Sequence, residues 1–579
     1  MSSTRTITRR RALETSLQHT ERTYLRLILW SLGSLIIFVL LCWGGFRFYR
    51  HWQEGHLLRR AAAVLSGGDL KTASLNARRV LQLNPANTDA MRLLADIAEK
   101  GGERNAVDWL RKVVQARPDS VDDALALARS AVRVKDFGSA AKTLEGLGER
   151  ARDKPEFYAT WARLAEARKD LAAAESHWAK AVDLAPEESG HRLQLAIIRL
   201  GLVDPAKRQS ALGALEELRA DPKQRTAALR TLVLDGLEHG KDSQRALALA
   251  KELEDHPDAG FGDRILYLEL LRQNLDPAYE EYLARLKSTA PTKPADLAAL
   301  LSWLIRNHKT AEAIEFTKDL PPELVSKWPV PLAIAEAYAQ SKSWPELERM
   351  TRNSTWSSYE FLRRAYLARA LRGQDKTLAA EQELSAAQKE AAINPKMLSM
   401  LTKTVAEWGW QGEAVELLWA LTKSAETKAL ALQTLYEHYM RSADTPGLYR
   451  ALAKLAELNP QDSAVQNNLA QVSLLLGVDT DHARRSAAEL AAKDPSNPAY
   501  ASTYAFALLT KGDIKGALNA MNRLSGDQLR DPSVSIYYGL VLTAAGEKEQ
   551  AREFLVRSWE ATLLPEEKAL VAKAASGAN

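Results

Sequence analysis

YATWARLAEARKDLAAAESHWAKAVDLAP, residues 158–186, reads as two helices joined by a tight turn. Tyr158, Trp161, Ala162 and Ala165 fall on one stripe, and Ala174, Trp178 and Ala181 on another, at the three- and four-residue steps of a helical face. Lys169 and Asp170 interrupt the pattern, and Pro186 stops the second helix. Alanine is needed where two helices cross closely, because a larger side chain would push the axes apart; the aromatic rings fill the gaps that remain. One such hairpin cannot bury both of its faces, so neighbours must stack on it.

The turn and its following alanine recur on both sides of this stretch. They read GGDLKTA at 67–73, GGERNA at 101–106, KDFGSA at 135–140 and KDLAAA at 169–174, with the alanines 33, 34 and 34 residues apart. Near the C-terminus Ala483, Ala517 and Ala551 are each 34 apart, as are Gly512 and Gly546. A fixed period of this length marks a stack of supersecondary units. Between the blocks the period degenerates: Ala211, Ala246, Ala278 and Ala313 recur at 35, 32 and 35 residues. From Trp328 to about Arg441 it blurs further, and Trp303, Trp328, Trp344, Trp356, Trp408, Trp410 and Trp419 fall between 303 and 419. Helical pairs are still expected, with those rings filling core between irregular helices, because no alternating strand pattern or Asn-Gly hairpin occurs.

The pattern resembles the tetratricopeptide repeat family. The match lies in the small-residue turn, the alanine that follows it, and a large apolar residue four further on (Trp178, Met521, Leu555). Proline near the unit's end (Pro85, Pro118, Pro186, Pro495) and a small residue in the first helix (Ala162, Gly539) complete it. It covers residues 61–190 and 450–565 best. The resemblance implies an α-solenoid of thirteen to fifteen hairpins whose inner wall is lined by the first helix of each unit. Transferring that geometry places Ser502, Phe506, Leu509, Ile536 and Leu540 toward a peptide groove at one end, and Glu156, Arg163 and Glu166 at the other. Other members of the family that capture acidic tails use a basic, asparagine-lined groove, which Ser502, Phe506 and Ile536 do not reproduce.

Ahead of the repeats, Leu27 to Phe46 gives twenty residues without a charge, LILWSLGSLIIFVLLCWGGF, between Arg26 and Arg47. A helix of that length spans about 30 Å, the hydrocarbon thickness of a bilayer. Trp30 stands near one end and Trp43, Phe46, Phe48, Tyr49 and Trp52 near the other. The fold class expected is therefore all-α, a single N-terminal transmembrane helix followed by the solenoid. Six arginines precede the span (Arg5, Arg9, Arg10, Arg11, Arg22, Arg26) and four follow it (Arg47, Arg50, Arg59, Arg60). That balance favours a cytoplasmic N-terminus and repeats in the periplasm, as in a single-pass protein of a bacterial inner membrane. The expected organisation is a basic tail at 1–26, the membrane helix at 27–46, a juxtamembrane segment at 47–60, repeats at 61–290, degenerate Trp-rich repeats at 291–449 and C-terminal repeats at 450–579.

The 579 residues carry 78 Lys and Arg against 73 Asp and Glu. Residues 1–60 hold ten Arg and three acids (Glu14, Glu21, Glu54), which leaves 68 and 70 for the rest, a net of −2. That body lacks the cation surplus on which phosphate binding draws, so no nucleic-acid partner is expected. The single cysteine, Cys42, excludes a disulfide framework or a multi-cysteine metal site. None of the ten histidines pairs with another at i, i+4, and no phosphate loop or Gly-x-Ser-x-Gly elbow occurs. Glu187-Glu188, Glu216-Glu217, Glu280-Glu281 and Glu566-Glu567 read as helix starts or solvated faces. No catalytic residue, cofactor or metal is assigned. The expected function is a membrane-anchored scaffold that gathers other proteins at the cell envelope, with the bilayer bound through residues 27–46. The alternatives are a cytoplasm-facing adaptor for a membrane enzyme, an RNA-binding helical repeat and an enzyme site within the Trp-rich middle.

Overall fold

The computed structural model describes residue 47 and residues 49–578 apart from 102, 104, 240 and 241. Among the described residues there are fifteen helical hairpins and a final single helix, with no strand. The first hairpin pairs residues 49–66 with Leu70–Leu83, and the fifteenth pairs Pro532–Ala545 with Lys548–Arg557; Pro565–Ala578 follows it. Two short helices, Pro322–Val325 and Gly526–Leu529, sit in connections between hairpins.

The hairpin turn is built by local chemistry. Gly68, Lys135, Lys169 and Gly512 adopt left-handed φ values of 87°, 63°, 62° and 83°. Each is followed by an aspartate whose N–H donates to the carbonyl five residues back, as Asp136 does to Ala131 at 2.8 Å and Asp170 to Ala165 at 2.9 Å. The same aspartate then caps the second helix: Asp69 accepts from Thr72 N–H at 3.0 Å, Asp136 from Ser139 at 3.1 Å, Asp170 from Ala173 at 3.0 Å and Asp513 from Gly516 at 2.9 Å. Closing one helix and opening the next within three residues is what makes the pairs antiparallel. The repeat alanines Ala73, Ala106, Ala140, Ala174, Ala483, Ala517 and Ala551 are all buried at the crossings. At Gly539 an added Cβ would lie 2.8 Å from a Leu555 methyl, so only glycine lets those two helices approach. The hairpins are tetratricopeptide-like repeats in turn, crossing and spacing.

The chain divides into two compact units, Met1–Leu283 and Ala284–Asn579. In the first, charged side chains lace successive hairpins at about one repeat period. Arg92 holds Asp123 through two bonds of 2.7 Å, Arg230 holds Asp263 at 2.6 and 2.8 Å, and Lys207 and Arg199 both reach Glu175 at 2.8 Å. Apolar clusters under these bridges centre on Leu94, Leu144 and Trp178.

In the second unit the Trp-rich stretch forms regular hairpins after all. Trp303 and Trp356 are buried, and Trp328, Trp344, Trp408, Trp410 and Trp419 are half-buried. Trp328 stacks flat on Tyr359 with centroids 3.7 Å apart, while Arg369, Arg372 and Arg450 lie over Trp408, Trp410 and Trp419. These rings are the packing between helices, and the period itself persists there: Ala313, Leu347, Ala380, Ala414 and Leu448, each the fourth residue of its second helix, are buried at steps of 34, 33, 34 and 34.

The membrane part of the expected fold class is corrected. No helix among the described residues is long and apolar enough to cross a membrane; apart from residues 49–66, their hairpin helices run to 8–15 residues. Residues 49–66, which continue from the apolar run, contain Arg50, Glu54, Arg59 and Arg60. The run at 27–46 lies outside the described residues. The fold is an all-α array of hairpins, and the single-pass inner-membrane localisation and the bilayer partner at 27–46 are withdrawn with the span.

Candidate functional site

Three first helices of the second unit form one wall: Ser463–Leu476, Pro498–Leu509 and Pro532–Ala545. Their sequences explain why. PAYASTYAFALL and PSVSIYYGLVLTAA contain no charge and have apolar residues on every side, so a helix made from them must be covered all round. In Pro532–Ala545 the nine residues from Val534 to Leu542 are all buried. Hairpin partners cover one side and neighbouring first helices the flanks; the inner side needs another element.

That element is the end of the chain. The helix Pro565–Ala578 packs against both helices of the last hairpin, Pro532–Ala545 and Lys548–Arg557, and reaches back to Ser463–Leu476. Its buried residues are Glu567, Val571 and Ala574, preceded by buried Leu563 and Leu564, while Lys568, Ala569, Ala572 and Lys573 are exposed. Leu563, Val571 and Ala574 join the cluster of Phe506, Ile536, Tyr537 and Leu540. Leu564 joins a different one, with Leu432, Leu435, Tyr439, Leu448 and Val472. The segment thus runs from the last hairpin across the inner wall to the hairpin Lys428–Ser442 and Thr445–Leu458.

Polar bonds fix its register. The Tyr537 hydroxyl donates to Glu567 Oε1 at 2.5 Å, and Gln471 Nε2 donates to the same carboxylate oxygen at 3.2 Å and to the Tyr537 oxygen at 2.5 Å. Glu567 Oε2 accepts the Leu564 N–H at 2.9 Å, which caps the last helix from within. Thr445 Oγ1 donates to Glu566 Oε2. Burial and the neighbouring negative charge of Glu567 push the Tyr537 phenol well above its ordinary value of 10, so it stays a donor.

The residues expected to line an open groove therefore have different surroundings. Phe506 and Ile536 are only 4% and 3% exposed, Ser502 and Leu540 are also buried, and Leu509 is half-buried. Phe506 packs on Tyr537 at 5.1 Å between centroids. The Ser502 hydroxyl is turned back to the Ala499 carbonyl at 3.1 Å. In the first unit Glu156 and Arg163 are partly exposed and belong to one line of charges. Arg129 of the preceding first helix lies 3.6 Å from Glu156, which lies 3.9 Å from Arg163. Glu166 accepts from the Trp178 indole N–H, and Arg163 lies over that ring. These two residues hold the core tryptophan in place.

Sequence reasoning missed Tyr537, Gln471, Thr445 and the pair Glu566-Glu567, whose partners stand 30, 96 and 121 residues away. The charge-free first helices of the last two hairpins, Pro498–Leu509 and Pro532–Ala545, were the available signal that something must cover them. In the Trp-rich stretch, Tyr366 donates to Glu336 at 2.7 Å beside Arg369, and burial followed by the Glu336 charge raises its phenol well above 10. No group of three or more His, Cys, Asp or Glu among the described residues is arranged to hold a metal.

No protein-family model and no curated protein sequence matches this chain. Solved structures do. A tetratricopeptide repeat protein from Parabacteroides merdae is 13% identical, covers 46% of this chain and 100% of its own, with a TM-score of 0.35. The APC/C hetero-tetramer Cut9-Hcn1 is 14% identical over 79% of this chain and 96% of its own, with a TM-score of 0.31. PilF of Pseudomonas aeruginosa is 15% identical over 42% and 95%, with a TM-score of 0.27. Likenesses this distant assign neither a partner nor an activity.

Proposed function

We propose that this protein is an interaction scaffold whose working surface is the inner wall made by the first helices of its hairpins, and that it binds other proteins rather than transforming a substrate. The observation that supports this most is the C-terminal wall itself, which accepts a helical segment through apolar sockets and a few fixed hydrogen bonds, the manner in which helical grooves recognise peptides. The charged line Arg129, Glu156 and Arg163 would select partners and register in the first unit, where ion pairs at a rim contribute more to specificity than to affinity. Stacked hairpins supply a large rigid area for this purpose.

The test is affinity capture with the whole chain as bait, comparing Arg129→Glu and Leu509→Glu with Leu378→Glu. Leu378 is a highly exposed residue of the second helix Thr377–Ala391. The reading expects the first two substitutions to remove specific partners that the third retains. Identical capture by all three would refute it.

A further inference from the structure

The segment that covers the C-terminal wall has the spacing of a ligand. Leu564, Glu567, Val571 and Ala574 are buried at steps of three, four and three residues, the single face by which a helix lies in a groove. Its outward face is polar or small, with Lys568 and Lys573 in solvent. It is joined to the last hairpin by the turn Ser558–Glu560 and residues 561–564, where Trp559 and Thr562 are exposed. Its anchors on the wall are of a kind a separate chain could make: two leucines in apolar sockets, one carboxylate on the Tyr537 hydroxyl and Gln471 amide, and a second on Thr445.

We propose that the wall formed by Gln471, Phe506, Tyr537 and Thr445 is a binding site for a partner helix of defined chemistry, and that the chain's own C-terminal segment occupies it as a tethered competitor. The partner carries two adjacent leucines, a pair of carboxylates in the first helical turn and an apolar residue four positions after the second carboxylate. Carboxylates at that place also meet the positive end of their own helix. The donors on the wall are a phenol, an amide and a hydroxyl, so recognition depends on hydrogen-bond geometry and tolerates salt, unlike recognition by a basic groove. A tethered segment acts at an effective concentration near the millimolar range, so it lowers the apparent affinity of any partner until it is displaced. This deepens the scaffold reading and rests on it, while the test below leaves the first unit untouched and can fail without that reading failing.

The probe is a fluorescent peptide with the sequence of residues 561–578, titrated into the full chain and into full-chain Val571→Asp, in which the tethered segment is weakened and the wall is intact. Val571 is fully buried and belongs to the last helix only. Weakening the tether should tighten peptide binding by about tenfold or more, and a peptide with lysine in place of both carboxylates should lose that gain. Raising salt from 0.05 to 0.5 M should change the affinity by less than about threefold. A second variant, Glu567→Ala, guards against a single failed fold, with helix content and cooperative unfolding followed for both. If both variants stay folded and bind no peptide, or both lose the cooperative unfolding of the surrounding hairpins, the segment is core and the proposal fails. A native chain that dimerises, and no longer does so in Val571→Asp, would give the site to a second copy and overturn the proposal as well.

Discussion

At Tyr537 a single hydroxyl joins the two parts of the C-terminal wall. Tyr537→Phe leaves Glu567 and Gln471 short of a partner in a buried place, which should destabilise the second unit by about 1–3 kcal/mol, read from urea unfolding. The phenol's folded pKa lies above its unfolded one, so its contribution is present below pH 10 and is lost as pH rises beyond that. Tyr366 behaves alike, and Tyr537→Phe with Tyr366→Phe should flatten the alkaline limb of stability against pH. Glu348 gives the opposite case. Its bond from Lys376 opens the set of interactions that hold it down to about 2, and its contribution disappears as pH falls from about 4.5 toward 2. Glu348→Gln should remove that acid dependence. Gly539 was legible as a small-residue position because helix crossings demand one; Gly539→Ala should cost about 1–3 kcal/mol by overpacking against Leu555.

At the scale of elements, the hairpin was the readable unit. Lys-Asp and Gly-Asp turns, buried alanines at a 34-residue step and prolines after the second helix are local features, and each produces its structure within a few residues. What joins one hairpin to the next was not readable, because Arg230 and Asp263 are 33 residues apart and no local pattern ties them. Burial raises the Asp263 carboxyl, and the bonds from Arg230 and the Gly260 N–H outweigh that, leaving it below its ordinary value. Asp263→Ala removes the bridge and the acceptor for the Gly260 N–H and should destabilise the first unit by about 1–2 kcal/mol in denaturant unfolding, since the half-exposed Arg230 guanidinium can turn to water. In the native chain the same bridge weakens as pH falls below about 4. The last helix escaped the sequence reading for a related reason. It was counted as part of the C-terminal repeats, and Glu566-Glu567 as a solvated pair, because nothing in its fourteen residues announces the wall that it covers.

For the whole molecule, near-neutral charge outside the first sixty residues and an unbroken series of described hairpins argue for a surface that recognises proteins. The apolar run at 27–46 dominated the expected localisation, and no described helix bears that expectation out. Photo-crosslinking in living cells tests whether the inner wall is where partners bind. Probes placed at Arg163 and Leu509, on first helices, should give covalent adducts with other proteins, and a probe at Leu378 on a second helix should give none. Adducts from Leu378 alone, or equal adducts from all three positions, would show that partners bind elsewhere.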